Sequence, residues 1–99
     1  MNQEQKDLRD FHVFFGLTHK DAPTVPSEKD LRLRANLINE EAKEFDEACA
    51  LLAKDPSEEN MTNAAKELAD ILYVVYGAGV TFGVDLEPVF AEVHRSNLT

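Results

Sequence analysis

The chain has 99 residues, 43 % of them hydrophobic, enough for one domain (residues 1–99) at a size where a single core is only moderately stable alone. Nineteen acidic against ten basic residues leave a formal charge of −9, which disfavours nucleic acid, whose affinity comes from Lys and Arg neutralising phosphates. Lone Cys49 excludes an intramolecular disulfide framework, and no apolar run approaches the ~20 residues of a membrane span, so no membrane partner and a cytoplasmic protein are expected.

Residues 2 to 15 set Leu8, Phe11 and Phe15 at spacings of three and four, with Gly16 placed to end the helix they predict. From about Leu31 to Leu52 a second helix follows from Leu31, Ala35, Ile38, Ala42, Phe45, Cys49 and Leu52, capped by Ser27. On that stripe Cys49 reads as a small buried hydrophobe.

A third helix opens at "DPSE", with Asp55 as cap and Pro56 in the first turn. It runs through Met61, Ala65, Leu68, Leu72, Val75 and Gly79 to Phe82. A fourth begins at Asp85 and tolerates Pro88, since the first turn needs no backbone donor there. No stretch alternates as a strand does, so the class is all-α, with four helices.

The acids are misplaced for a simple surface. A second stripe on helix two runs Leu37, Glu41, Glu44, Ala48 and Leu51, so two carboxylates occupy the middle of an apolar seam. Helix three repeats the pattern with Asn63, Glu67, Asp70, Val74 and Gly77. An antiparallel pairing brings the four acids together, where their repulsion must be relieved by protonation, pairing or a cation. All-oxygen ligation selects Mg²⁺, or Mn²⁺, and such a site handles phosphates. The competing reading is a solvated acidic face on a helical dimerisation module. A ferritin-like di-iron site fails because His12, His19 and His94 each lack a Glu three residues upstream.

"EEAKE" at 40–44 followed by "ELAD" at 67–70 resembles the EExxE…ExxD signature of the all-α NTP pyrophosphohydrolases, the superfamily of MazG-like proteins, dimeric dUTPases and phosphoribosyl-ATP pyrophosphohydrolases. The likeness extends over "FHVFFG", "RLRANLINEEAKEFDEA" and the run from "ELADILYVVYG" to "HRSN". It implies a MazG-like bundle and Mg²⁺-dependent hydrolysis of a nucleoside triphosphate to monophosphate and diphosphate. The expected role is nucleotide-pool house-cleaning, with phosphoribosyl-ATP hydrolysis as the alternative. By that resemblance Glu41, Glu44, Glu67 and Asp70 are the metal ligands, and Glu40 is a base or a group that positions water.

An acidic protein holding a polyanion also needs contacts for the base and a cation for phosphate. His12 and Phe15 are candidates for the base, Tyr73 reaches the carboxylate side, Tyr76 packs or meets a partner subunit, Arg95 is a candidate cation for phosphate in place of the lysine that family members commonly carry past "HRSN", and Asn97 is a further substrate-binding candidate. Because helices two and three carry apolar residues on more than one stripe, a homodimer or dimer of dimers is expected to complete the bundle.

Overall fold

A computed structural model describes residues 1–99 as four helices without strands: α1 (Gln3–Phe15), α2 (Glu28–Lys54), α3 (Glu58–Phe82) and α4 (Leu86–Asn97). Side chains set the helix starts. Asn2, Ser27, Ser57 and Asp85 each accept a backbone N–H from the first turn of α1 to α4 respectively. Gly16 and Gly83 end α1 and α3 in the left-handed conformation, at φ 67° and 71°.

One boundary differs from the sequence reading. Asp55 closes α2 through its N–H to the Leu51 carbonyl, so Ser57 caps α3 and Pro56 lies outside the helix. Its side chain still contributes, accepting from Asn60 Nδ2 at 3.2 Å.

The turn at Asp55–Ser57 folds α2 back on α3, and the pairing register follows by counting outward from Pro56. Ala48 and Ala64 each lie 8 residues from it; Glu44 and Glu67 lie 12 and 11 away; Glu41 and Asp70, 15 and 14; Arg34 and Gly77, 22 and 21. The seam between the helices is therefore Ala48–Glu44–Glu41–Leu37–Arg34 against Ala64–Glu67–Asp70–Val74–Gly77. Ala48 and Ala64 are buried, and their small side chains admit close approach beside the turn.

This corrects the expected core. On the richer apolar stripes Ile38, Phe45, Leu52 and Val75 are half-buried and Gly79 is buried, but Leu31, Ala35, Ala42 and Cys49 of α2 are exposed, as are Met61, Ala65, Leu68 and Leu72 of α3. Cys49 is thus not a buried hydrophobe in this chain. Within the seam the carboxylate stripe takes the position that periodicity alone assigns to the larger hydrophobic stripe.

α1 packs on α3, whereas α4 meets the other helices only lightly. Gln5 ties these parts together. Buried on α1, it donates to the Val84 carbonyl at 2.7 Å and accepts from Leu86 N–H at 3.0 Å, satisfying backbone at the α3–α4 corner. Tyr76 accepts from Asn2 Nδ2 at 2.9 Å, so its hydroxyl is used within the chain. The apolar core is small, comprising buried Leu8, Ala48, Ala64 and Val80. No single helix is long and apolar enough to cross a membrane.

Candidate metal centre and the adjoining cavity

Glu41 and Glu44 from α2 meet Glu67 and Asp70 from α3, with one carboxylate oxygen from each lying within 4.8 Å of the others. The i, i+3 spacing on each helix and the register of the hairpin together suffice to assemble this group. Glu67 is buried, Glu41 and Asp70 are half-buried, and Glu44 is exposed.

The group is under electrostatic stress. Burial first, then the charges of Glu44 and Asp70, hold the Glu41 carboxyl above its ordinary range. Lys66 gives partial relief from the exposed side, reaching Asp70 at 3.0 Å and Glu67 at 3.6 Å. Two buried oxygens, Glu41 Oε2 and Glu67 Oε2, have no hydrogen-bond partner. Orphaned carboxylate oxygens converging from two helices suit a hard divalent cation, and the absence of nitrogen or sulfur ligands excludes a softer preference.

Beside the carboxylates lies a cavity of about 420 Å³, bounded by Leu8, Phe11, His12, Leu37, Arg34 and Tyr73 and open to Glu41 and Asp70. His12 is fully buried and its Nδ1 lies 2.9 Å from the Thr18 carbonyl oxygen. A carbonyl only accepts, so Nδ1 carries the proton; burial, reinforced by nearby Arg34, lowers the imidazole pKa below its ordinary 6.5. Neutral His12 therefore presents Nε2 as an acceptor. Thr81 Oγ1 donates to the same Thr18 carbonyl at 3.2 Å, fixing the loop that orients the ring.

The sequence candidates divide cleanly. His12 and Tyr73 line the cavity, with Glu41 and Asp70 at its edge. Glu40 is exposed and stands outside the converging four. Phe15 is 59 % exposed; Phe11, its neighbour one turn earlier, takes the cavity wall and meets Tyr73 edge-on at 5.8 Å. Arg95 is paired with Glu92 along α4, and neither it nor exposed Asn97 borders the cavity.

Arg34 is the cation that does border it, and sequence reasoning passed it over. The signal was present: one further step of three before Leu37 extends the carboxylate stripe to Arg34.

Comparison with known families matches residues 8–97 to the model for phosphoribosyl-ATP pyrophosphohydrolase. A comparison with curated proteins finds no match.

Proposed function

Since the chain belongs to the phosphoribosyl-ATP pyrophosphohydrolase family, within the all-α NTP pyrophosphohydrolases and thus among hydrolases of pyrophosphate bonds, we propose that it is a Mg²⁺-dependent enzyme. In this reading it hydrolyses a phosphoanhydride of a nucleoside triphosphate group to leave a monophosphate and diphosphate. The observation that carries the proposal is the pair of orphaned buried oxygens on Glu41 and Glu67 inside the four-carboxylate group.

Glu41, Glu44, Glu67 and Asp70 would hold the cation, Mg²⁺ or Mn²⁺, which supplies charge neutralisation and Lewis acidity when bound. Glu40, exposed and next to Glu41 on α2, is the proposed acceptor of the proton from the attacking water. His12, Phe11 and Tyr73 would hold the nucleoside, with His12 Nε2 accepting a donor from it and the aromatic rings excluding water.

Phosphoribosyl-ATP is the substrate that the family match favours. A plain ribo- or deoxyribonucleoside triphosphate is the second reading, favoured by a cavity of about 420 Å³, close to the lower end of small-molecule sites and suited to one nucleoside. Diphosphate release should be measured across phosphoribosyl-ATP and a panel of canonical and modified NTPs, in millimolar Mg²⁺ and in EDTA. Mg²⁺ should also raise the melting temperature by several degrees, because it binds the folded carboxylate group only. No release from any of these, with identical melting in Mg²⁺ and EDTA, would leave the dimerisation-module reading in its place.

The protomer is proposed to work as a homodimer or a dimer of dimers. Its Cα radius of gyration is 15.5 Å, against roughly 13 Å for a compact 100-residue domain. Leu68 and Leu72 of α3 and Phe90 of α4 are 50 %, 53 % and 74 % exposed. Faces of that kind are normally covered by another protein surface. Light scattering at micromolar concentration should give at least twice the 11.1 kDa chain mass; a monomer would remove this part of the proposal.

A further inference from the structure

The cavity presents the substrate with a positive charge that the carboxylate group does not use. Arg34 lies two turns before Glu41 on α2, about 10 Å along the helix axis. It shares the cavity with Glu41 and Asp70, yet it forms no ion pair with either. Its Nε is buried without any hydrogen-bond partner. Arg34 is half-buried, a buried donor without a partner is costly, and the planar fork is shaped for two oxygens of one oxyanion.

Its surroundings keep the fork in place. Opposite it on α3 is Gly77, level with Arg34 in the hairpin register. A Cβ there would stand 3.2 Å from Arg34 Nη1, close enough to press on the guanidinium, and 3.4 Å from His12 Nε2, in van der Waals contact with the ring. Arg34 and Glu41 both line the cavity, about 10 Å apart along α2, a span that an extended phosphate chain can bridge. Lys66 is already engaged by Asp70 and Glu67, which leaves Arg34 as the cavity's cation.

We propose that Arg34, given room by Gly77 and flanked by His12, receives an oxyanion of the substrate's phosphate chain and positions that chain against the carboxylate centre. This rests on the pyrophosphohydrolase reading above and adds a positioning residue to it. Arg34 takes no part in proton transfer; its contribution is to bind and orient.

The test uses the full chain with Mg²⁺ and inorganic tripolyphosphate as the probe, followed by calorimetry, alongside diphosphate-release kinetics on the substrate panel. Arg34→Gln should weaken tripolyphosphate binding and raise KM by about ten-fold or more, the scale of losing a charge-assisted hydrogen bond, with a smaller change in kcat. Its Mg²⁺-induced thermal shift should stay that of the wild type, a result that a general loss of structure would not give. Arg34→Lys keeps the charge without the fork and should recover only part of the affinity; it carries the same test if Arg34→Gln does not fold. Gly77→Ala should raise KM in the same direction.

Wild-type binding and KM in Arg34→Gln, or in Arg34→Lys if that is the variant that folds, would overturn the inference. So would failure of the wild type to bind tripolyphosphate in millimolar Mg²⁺. If the wild type releases no diphosphate from any substrate, the pyrophosphohydrolase reading fails on its own account. Tripolyphosphate binding then still decides the role of Arg34, supporting it if lost in the variant and refuting it if retained.

Discussion

Glu67→Gln is expected to abolish diphosphate release, by at least ~100-fold, while making the metal-free protein more stable by about 1–3 kcal/mol. Glu67 is the most buried of the four acids and carries one of the two orphaned oxygens. An amide keeps the side chain's outline, removes one negative charge from the group and offers an N–H that the orphaned Glu41 oxygen can accept. Metal affinity and metal-free stability therefore move in opposite directions. Asp70→Asn should lose the same activity with little gain in stability, because it also gives up the 3.0 Å contact with Lys66. Glu47→Gln, an exposed position on the same helix, serves as the control, with a stability change below about 0.5 kcal/mol. The comparison needs diphosphate release and urea midpoints in EDTA for all three variants. Wild-type turnover by Glu67→Gln, or equal damage from Glu47→Gln, would dissolve the metal centre.

The sequence made the helices legible because each boundary is written in side-chain chemistry. Ser27 and Asp85 cap as expected, and Gly16 ends α1 as expected. At "DPSE" the reading of Asp55 as the cap of helix three was wrong, because two residues able to cap stand two apart and local pattern does not show that the first is taken up in ending the preceding helix. Both are used, one closing α2 and the other opening α3.

The acids Glu41, Glu44, Glu67 and Asp70 were legible as well, since a carboxylate interrupting an apolar series at the same spacing on neighbouring helices is a tertiary signal in local form. What periodicity could not reveal is which stripe turns toward the neighbouring helix. Leu31, Ala35, Ile38, Ala42, Phe45, Cys49 and Leu52 form the more hydrophobic stripe on α2 and were read as the core, yet only Ile38, Phe45 and Leu52 of it are half-buried, and the hairpin encloses the stripe with the charges. Periodicity marks an apolar face, not which of two neighbouring faces a partner helix takes. Arg34 escaped for a related reason. Near the start of a long helix a charged residue reads as surface, and the room for its half-buried side chain is left by Gly77, 43 positions away in the chain and level with it only once the hairpin closes.

Gly83→Ala should destabilise the fold by roughly 3 kcal/mol or more, whereas Gly16→Ala, at an almost identical backbone angle, should cost about 1 kcal/mol. Both glycines close helices at φ near 70° through the same pair of hydrogen bonds. The residue after each donates to a carbonyl five residues back, Leu17 to His12 at 2.8 Å and Val84 to Gly79 at 3.0 Å. Their surroundings differ. A Cβ on Gly16 meets nothing within 4 Å, so only the intrinsic strain of the left-handed conformation is added. A Cβ on Gly83 would collide with the Ala22 carbonyl, which is backbone and cannot swing aside. That carbonyl is held there because the loop is fastened to the end of α3, with Lys20 N–H donating to Val80 at 3.1 Å and Thr24 N–H to Phe82 at 2.9 Å. Relief of the clash therefore requires peeling the loop from α3. The same loop carries the Thr18 carbonyl that sets the His12 tautomer, so Gly83→Ala should also raise KM for substrate while leaving the Mg²⁺ thermal shift in place. Urea midpoints of the two variants measure the difference directly. Equal losses, or a larger loss for Gly16→Ala, would mean that the loop is not fastened to α3 as described.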